Sequence, residues 1–319
     1  MTKPRVLCTR KWPAAVEEVL KERFDVTLNT ADEAMSQSAL RQAFDDYDAV
    51  CPTVTDKIDA VVLAAPGRAK ICCNFGVGFN NIDVEAAKTA GLVITNTPDV
   101  LTDATADIAL TLLLNVARRT YEGEQMLRGS QWTGWRPTQL MGTSPQGKTL
   151  GIIGMGRIGR AMAKRCHAAL DMNIVFYDAF PVDNAGVPAK QLSTVEDVLE
   201  VADFVSLHCP GGGANTRLIN AERLARMKPT AFLVNTARGD IIDEAALVDA
   251  LKAGTIAGAG LDVFEAEPTV TPALMDMPNV CLLPHLGSAT TETREAMGMK
   301  VVDNLTAFFA GEEPPTRVA

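Results

Sequence analysis

Thr149-Leu150-Gly151-Ile152-Ile153-Gly154-Met155-Gly156-Arg157-Ile158-Gly159-Arg160-Ala161-Met162-Ala163-Lys164-Arg165 runs from an apolar, strand-like stretch through three glycines into a helical pattern. A G-x-G-x-x-G spacing is weak alone; the strand before it and the helix after it supply a mechanism. Gly154 permits a tight turn, Gly156 lets a pyrophosphate approach the backbone, and Gly159 lets helix pack closely on strand. The phosphates then rest on backbone donors at the positive end of the helix, where Arg157 and Ile158 sit. Asp178 follows Gly159 by 19 residues, at the end of Asn173-Ile174-Val175-Phe176-Tyr177. A carboxylate there can accept both ribose hydroxyls. A 2′-phosphate would meet that charge, and Ala179-Phe180-Pro181 supplies no arginine, so the expected cofactor is NAD(H), preferred over NADP(H).

Outward from this stretch, short apolar runs alternate with helical patterns, as in parallel sheets with crossover helices. Strands are expected near 5–9, 25–29, 48–52, 70–74 and 92–95, with helices at 14–23 and 83–90. A second series of strands is expected at 149–153, 173–177, 203–208, 231–235, 257–262 and 279–283, with helices near 157–169, 194–201, 220–227 and 243–253. Six strands in this order suit a complete dinucleotide-binding sheet, so the fold class is α/β with two doubly wound, Rossmann-like domains. Between the series, 103–127 reads as one long helix, apolar almost all round and therefore buried, with Thr102 and Asp103 as N-cap candidates. Ser130 to Pro137 breaks the pattern and reads as a loop anchored by Trp132 and Trp135. A last helix is expected over 290–310.

The chain has 319 residues, enough at roughly 150 per domain for two cores. Thirty Lys and Arg against 39 Asp and Glu leave a net charge of −9, which argues against a nucleic-acid or anionic-membrane partner. No apolar run approaches the 18 or so residues of a membrane span, and the N-terminal residues lack the pattern of a signal peptide. A cytoplasmic protein is expected. The seven cysteines form no CxxC pair and no zinc spacing, so buried reduced thiols and no metal are expected.

Three histidines make the search for a neutral-pH proton donor short. His167 reads as a solvated helix-end cation. His208 ends a strand-like run before Cys209-Pro210, where it suits either a structural hydrogen bond or the cofactor. His285 emerges after Val280-Cys281-Leu282-Leu283-Pro284. Arg238 ends Phe232-Leu233-Val234-Asn235-Thr236-Ala237, and Glu267 follows Gly260-Leu261-Asp262-Val263. An arginine fork can hold a 2-keto carboxylate, a histidine can protonate the carbonyl oxygen, and a carboxylate beside the imidazole orients it and raises its pKa. The same three strand ends also suit structural ion pairs.

Gly154 to Gly159, Asn235-Thr236-Ala237-Arg238-Gly239, Gly260-Leu261-Asp262-Val263 with Glu267-Pro268, and Pro284-His285-Leu286-Gly287-Ser288-Ala289-Thr290 resemble the D-isomer-specific 2-hydroxyacid dehydrogenase family. Asn74-Phe75-Gly76-Val77-Gly78-Phe79-Asn80-Asn81-Ile82-Asp83 resembles its substrate loop. The resemblance implies catalysis by Arg238, Glu267 and His285, with the Val77 and Gly78 amides on the substrate carboxylate. It implies cofactor contacts from Thr105 and Asp262, and the same strand ends extend these to His208, Pro210, Thr236, His285 and Gly287. It also implies a homodimer, a flavodoxin-like substrate domain from 1–99 and 290–319, an NAD-binding domain over 100–289, and a cleft between them. Val100 to Asp107 and Trp132 to Gly142 are similar to glyoxylate and hydroxypyruvate reductases, whose small 2-keto or 2-hydroxy acids become the expected substrates. In relatives the second segment reaches the partner's site, so Trp135 and Gln139 are candidates to act in trans; a dimer-loop anchor is the alternative. Gly211-Gly212-Gly213 departs from the bulkier residues usual after His-x-Pro. Two rival readings stay open: a dehydrogenase of D-lactate or larger 2-keto acids, and an NAD-responsive corepressor-like protein.

Overall fold

The computed structural model describes residues 3–64 and 67–319, so Met1 and Thr2 of the expected leaderless start lie outside the described residues. The chain divides into two compact units, one of residues 1–101 with 289–319 and one of 102–288. In the first, β1 (Arg5–Cys8), β2 (Asp25–Leu28), β3 (Ala49–Cys51), β4 (Ile71–Cys73) and β5 (Val93–Thr95) form an all-parallel sheet in the order β2-β1-β3-β4-β5. This is the flavodoxin-like order, and its connections include α1 (Ala14–Arg23), α2 (Gln37–Asp46) and α3 (Val84–Thr89). The polar sequence around α2 hid it from the strand-and-helix pattern. Its signals are the Ser36 side chain accepting from the Ala39 amide and the buried spacing Leu40, Ala43, Phe44.

The second unit opens with α4 (Thr102–Ala117) and α5 (Thr120–Arg128), which correct the single helix expected over 103–127. Arg119 adopts a left-handed φ of 54° and its guanidinium clasps Glu122, while the Thr143 amide caps the Ala117 carbonyl at 2.8 Å. The two halves differ in burial too. Leu112, Leu113 and Val116 of α4 are buried, whereas no residue of α5 is.

Then follow β6 (Thr149–Ile153), α6 (Arg157–Leu170), β7 (Asn173–Tyr177), β8 (Ala189–Gln191), α7 (Val195–Val201), β9 (Phe204–Leu207), α8 (Ala221–Leu224), β10 (Phe232–Asn235), α9 (Glu244–Ala253), β11 (Gly258–Leu261), α10 (Pro272–Met275) and β12 (Val280–Leu282). They build a parallel sheet ordered β12-β11-β10-β9-β6-β7-β8, one strand more than expected. The extra strand, Ala189-Lys190-Gln191, is a half-exposed edge with no apolar run to announce it. One core cluster joins Leu112, Leu113, Met162 and Cys166 of α4 and α6 to the sheet. Another joins Val198, Leu199 and Leu247 of α7 and α9.

α11 (Thr291–Phe309) returns to the first unit, and the Val318 amide pairs with the Ile94 carbonyl of β5 at 2.7 Å. All seven cysteines are free and six are buried; burial pushes the Cys166 thiol up to about 12, so that thiol stays protonated at neutral pH. No helix among the described residues is long and apolar enough to cross a membrane.

Gly298 lets α11 approach α1, since a Cβ there would lie 2.7 Å from both Val16 methyls. Gly298→Ala is expected to destabilise the protein by about 1–3 kcal/mol through overpacking, despite alanine's better helix propensity. Urea unfolding checks this, and a neutral or stabilising effect would contradict the close contact.

Candidate active site

The parallel register of the second unit places five of the candidate cofactor residues on one row. Tyr177, Ile153, Leu207, Asn235 and Leu261 face one another across β7, β6, β9, β10 and β11. The next residue on each strand is Asp178, Gly154, His208, Thr236 and Asp262. They collect at the carboxyl edge of the sheet, around the β6–β9 junction where strand order reverses.

The three glycines have distinct surroundings there. Gly154 has φ 95°, and a Cβ on it would sit 2.6 Å from the Cys209 nitrogen, so the turn and β9 require glycine. A Cβ on Gly159 would sit 2.2 Å from the Gly154 carbonyl oxygen, which makes α6 pack tightly on the loop. Gly156 has nothing within 4 Å on that side and caps α6 without a side chain, leaving open space at the start of the helix that begins at Arg157 and Ile158. The Thr236 hydroxyl is buried without a hydrogen-bond partner. Open space at a helix N-terminus after a glycine-rich turn and an orphaned hydroxyl fit a dinucleotide. Asp178 accepts the Met155 amide at 2.8 Å on one oxygen and the Phe180 amide at 3.1 Å on the other, which fixes it at the end of β7.

His208 is mostly buried and neutral. Desolvation lowers its pKa to about 4, and its Nε2 shares a 2.8 Å hydrogen bond with Ser206 Oγ. Pro210 follows it, exposed, with its carbonyl held by Asn215. Gly211 is explained by its neighbours: a Cβ there would lie 2.5 Å from Asp240 Oδ1 and 2.8 Å from Arg238 Cβ. Gly212 and Gly213 take φ of 77° and 55°, and the Gly212 amide donates to Asp240 at 2.7 Å. His167 is half-exposed near the end of α6, and its Nδ1 lies 3.2 Å from the Met172 carbonyl oxygen, because the chain turns back under the end of the helix.

Beyond β10, Asn235 staples the turn that presents Arg238. Its amide group donates to the Arg238 carbonyl at 2.8 Å and accepts from the Ala237 amide at 3.0 Å. Arg238 donates from Nη1 to the Ala237 carbonyl at 2.7 Å; burial lowers its pKa, and Glu267 and Asp240 counter that. Asp262, fully buried, accepts the Leu286 amide at 2.6 Å and the Gly287 amide at 2.8 Å, while its own carbonyl accepts the His285 amide at 2.9 Å. These bonds set the left-handed turn at His285, φ 55°. Burial pushes the Asp262 carboxyl up, against the two amides. Thr105 of α4 closes on the same turn: a Cβ on Gly287 would be 3.5 Å from the Thr105 hydroxyl oxygen.

His285 Nδ1 and Glu267 Oε2 are 2.8 Å apart, and Glu267 Oε1 accepts the Phe264 amide at 3.0 Å. Burial opposes the Glu267 charge, but His285, the Phe264 amide and Arg238 together hold its carboxyl below the usual value. Sequence reading did not reach Glu244, whose buried carboxylate binds the Glu265 amide at 2.6 Å and the Thr271 hydroxyl, clamping the loop that carries Glu267. As an acid on the first turn of an ordinary helix, it carries no distinguishing local signal. Val77 and Gly78 lie on a half-exposed loop of the first unit, after β4. Among the described residues no cluster suits a metal.

Comparison with known proteins settles the family. Residues 110–302 match the D-isomer specific 2-hydroxyacid dehydrogenase NAD binding domain. The chain belongs to the D-isomer-specific 2-hydroxyacid dehydrogenases. As a member it is an oxidoreductase with a nicotinamide cofactor. It is 44% identical to a glyoxylate reductase from Thermococcus kodakarensis, across 99% of this chain and 96% of that one. A D-isomer specific 2-hydroxyacid dehydrogenase structure from a Polaromonas species superposes with a TM-score of 0.91 at 35% identity, over 99% of this chain and 100% of that one. An NADPH-dependent glyoxylate/hydroxypyruvate reductase from Sinorhizobium meliloti, in complex with NADP and malonate, gives 0.90 at 40%, over 100% and 97%.

Neutral His208 carries a stability consequence. The unfolded chain protonates this histidine near pH 6.5 and the fold only near 4, so the unfolded state binds the extra proton between them. Stability from this residue is full above pH 6.5 and is lost as pH falls toward 4, by at most about 3 kcal/mol. Denaturant unfolding of His208→Gln against the parent should show a flatter acid limb; parallel limbs would contradict the buried neutral state.

Proposed function

We propose that this dehydrogenase reduces glyoxylate, hydroxypyruvate or both, with NADH, to glycolate and D-glycerate. The observation that carries this reading is the 2.8 Å contact of His285 Nδ1 with Glu267, whose charge acts on a half-buried Arg238. It is supported by the glyoxylate and hydroxypyruvate reductase activities for which the relatives above are named. Bound NADH supplies the hydride. Arg238 binds the 2-keto carboxylate and polarises its carbonyl, with the Val77 and Gly78 amides as further carboxylate donors. His285, whose Nδ1–H donates a hydrogen bond to the Glu267 carboxylate, gives the Nε2 proton of its imidazolium to the carbonyl oxygen and is left as neutral imidazole. The charged Glu267 orients the ring and stabilises the imidazolium before transfer. The residue 102–288 unit holds the cofactor through Thr105, the glycine loop, Asp178, His208, Pro210, Thr236, Asp262, His285 and Gly287, and the other unit takes the substrate.

Preference for NADH rests on Asp178, whose negative charge opposes a 2′-phosphate. We also infer a homodimer, because Leu127, Trp132, Trp135 and Met141 are 52–79% exposed on one segment and the first three line a pocket of ≈ 350 Å³. Gln139 donates to Met126 Sδ at 2.9 Å within its own chain, so Trp135 is the better candidate to act across the dimer. Seven free thiols suit a reducing compartment and support a cytoplasmic enzyme.

The test is NADH oxidation at 340 nm, comparing kcat/KM for glyoxylate, hydroxypyruvate and pyruvate, with NADPH as the second cofactor and light scattering for the dimer. The first two substrates with NADH should be preferred, and His285→Ala should lower kcat by about two to four orders of magnitude. Preference for pyruvate, or binding of NADH without turnover, would replace this reading with the lactate-type or the corepressor-like one.

A further inference from the structure

The loop after β4 is gripped from inside by asparagines. Asn74, fully buried, donates from Nδ2 to the Gly78 carbonyl at 3.0 Å and the Gly76 carbonyl at 3.4 Å. The Thr97 amide also reaches the Gly76 carbonyl, at 3.0 Å. Asn96 donates from Nδ2 to the Val77 carbonyl at 2.8 Å. Asn81 in turn holds Asn74, donating to its Oδ1 at 3.2 Å while also reaching the Thr53 and Asp56 carbonyls at 3.1 Å. Asn96 is itself fixed: its carbonyl accepts the Thr316 hydroxyl at 2.5 Å, and Thr316 is held by the buried Asn304 of α11 at 2.7 and 3.0 Å.

In a trans peptide, N–H points opposite to C=O. Three successive carbonyls drawn inward therefore turn the amides of Val77, Gly78 and Phe79 outward. None of these three amides donates a hydrogen bond among the described residues, and all three residues are half-exposed. A run of amides without protein acceptors offers donors to an anion. Gly76 must be glycine for the loop to sit this low, since a Cβ there would lie 2.5 Å from Val54 Cγ1.

We infer that Asn74 and Asn96 are positioning residues that aim a three-amide cradle, Phe79 included, at the carboxylate of the 2-keto acid. This rests on the reductase reading above. A carboxamide suits the task because it donates to a carbonyl without adding charge near an anion; a carboxylate would repel both.

Asn96→Ala and the isosteric Asn96→Asp test the inference, Asn96 being only half-buried. Both should raise the KM for glyoxylate about tenfold, the equivalent of about one hydrogen bond, with kcat changed less than about twofold and the KM for NADH unchanged. Unchanged glyoxylate KM in a folded variant overturns the inference, as does an equal loss in glyoxylate KM, kcat and NADH KM. Fluorescence titration of oxamate into the NADH complex separates this from the reductase reading. If the parent binds oxamate but fails to turn glyoxylate over, that reading fails, while a tenfold weaker oxamate affinity in the variants still supports the cradle. Equal oxamate affinity in parent and variants, or no oxamate binding by the parent, overturns it.

Discussion

The Asp262 carboxylate, buried at the end of β11, takes the amides of Leu286 and Gly287 on its two oxygens, while its carbonyl takes the amide of His285. Three bonds to three successive residues force the chain into a left-handed conformation at His285, which for an L-residue costs about 1–2 kcal/mol. Charge-assisted bonds to the two amides offset that cost. The turn brings Nδ1 of the imidazole to Glu267, and it brings Gly287 against Thr105. The His285–Glu267 contact and the approach of Gly287 to Thr105 thus depend on one carboxylate.

The sheet supplies the rest by register. Because β7, β6, β9, β10 and β11 end on one row, the residue following each falls on one edge, and five short-range sequence features become one site. Glycines then decide how near the backbone comes. Gly154 and Gly159 are packed to contact, Gly156 is open, and Gly211 lets the 210–213 loop approach Arg238 and Asp240. The triglycine stretch thereby acquires a physical reason at its first position, and its second donates to Asp240.

Much of this was legible in the amino-acid sequence because it is local. A strand running into G-x-G-x-x-G and a helix states its own geometry, and Arg238, Glu267 and His285 stand out as polar side chains just past apolar strands. What was hidden depends on tertiary partners. β8 is a polar edge strand, and α2 announces itself only through Ser36 and three buried side chains. The break at Arg119 has no glycine or proline to mark it; the Glu122 clasp and the Thr143 cap on Ala117 make it. Asn74, Asn81 and Asn96 were visible as residues, but their grip on the carbonyls of 76, 77 and 78 comes from β4 and β5 lying side by side. Glu244 is likewise distant in sequence from the loop it clamps.

The most direct test of this account is kcat/KM for glyoxylate with NADH in Asp262→Asn, measured beside its melting temperature. The carboxamide keeps the shape but turns a donor toward one of the two amides, at a cost of about 1–3 kcal/mol. The account predicts a fall in kcat/KM of about two orders of magnitude in a folded protein, because His285 leaves its contact with Glu267. Parental kcat/KM in that variant would contradict the claim that Asp262 organises the site.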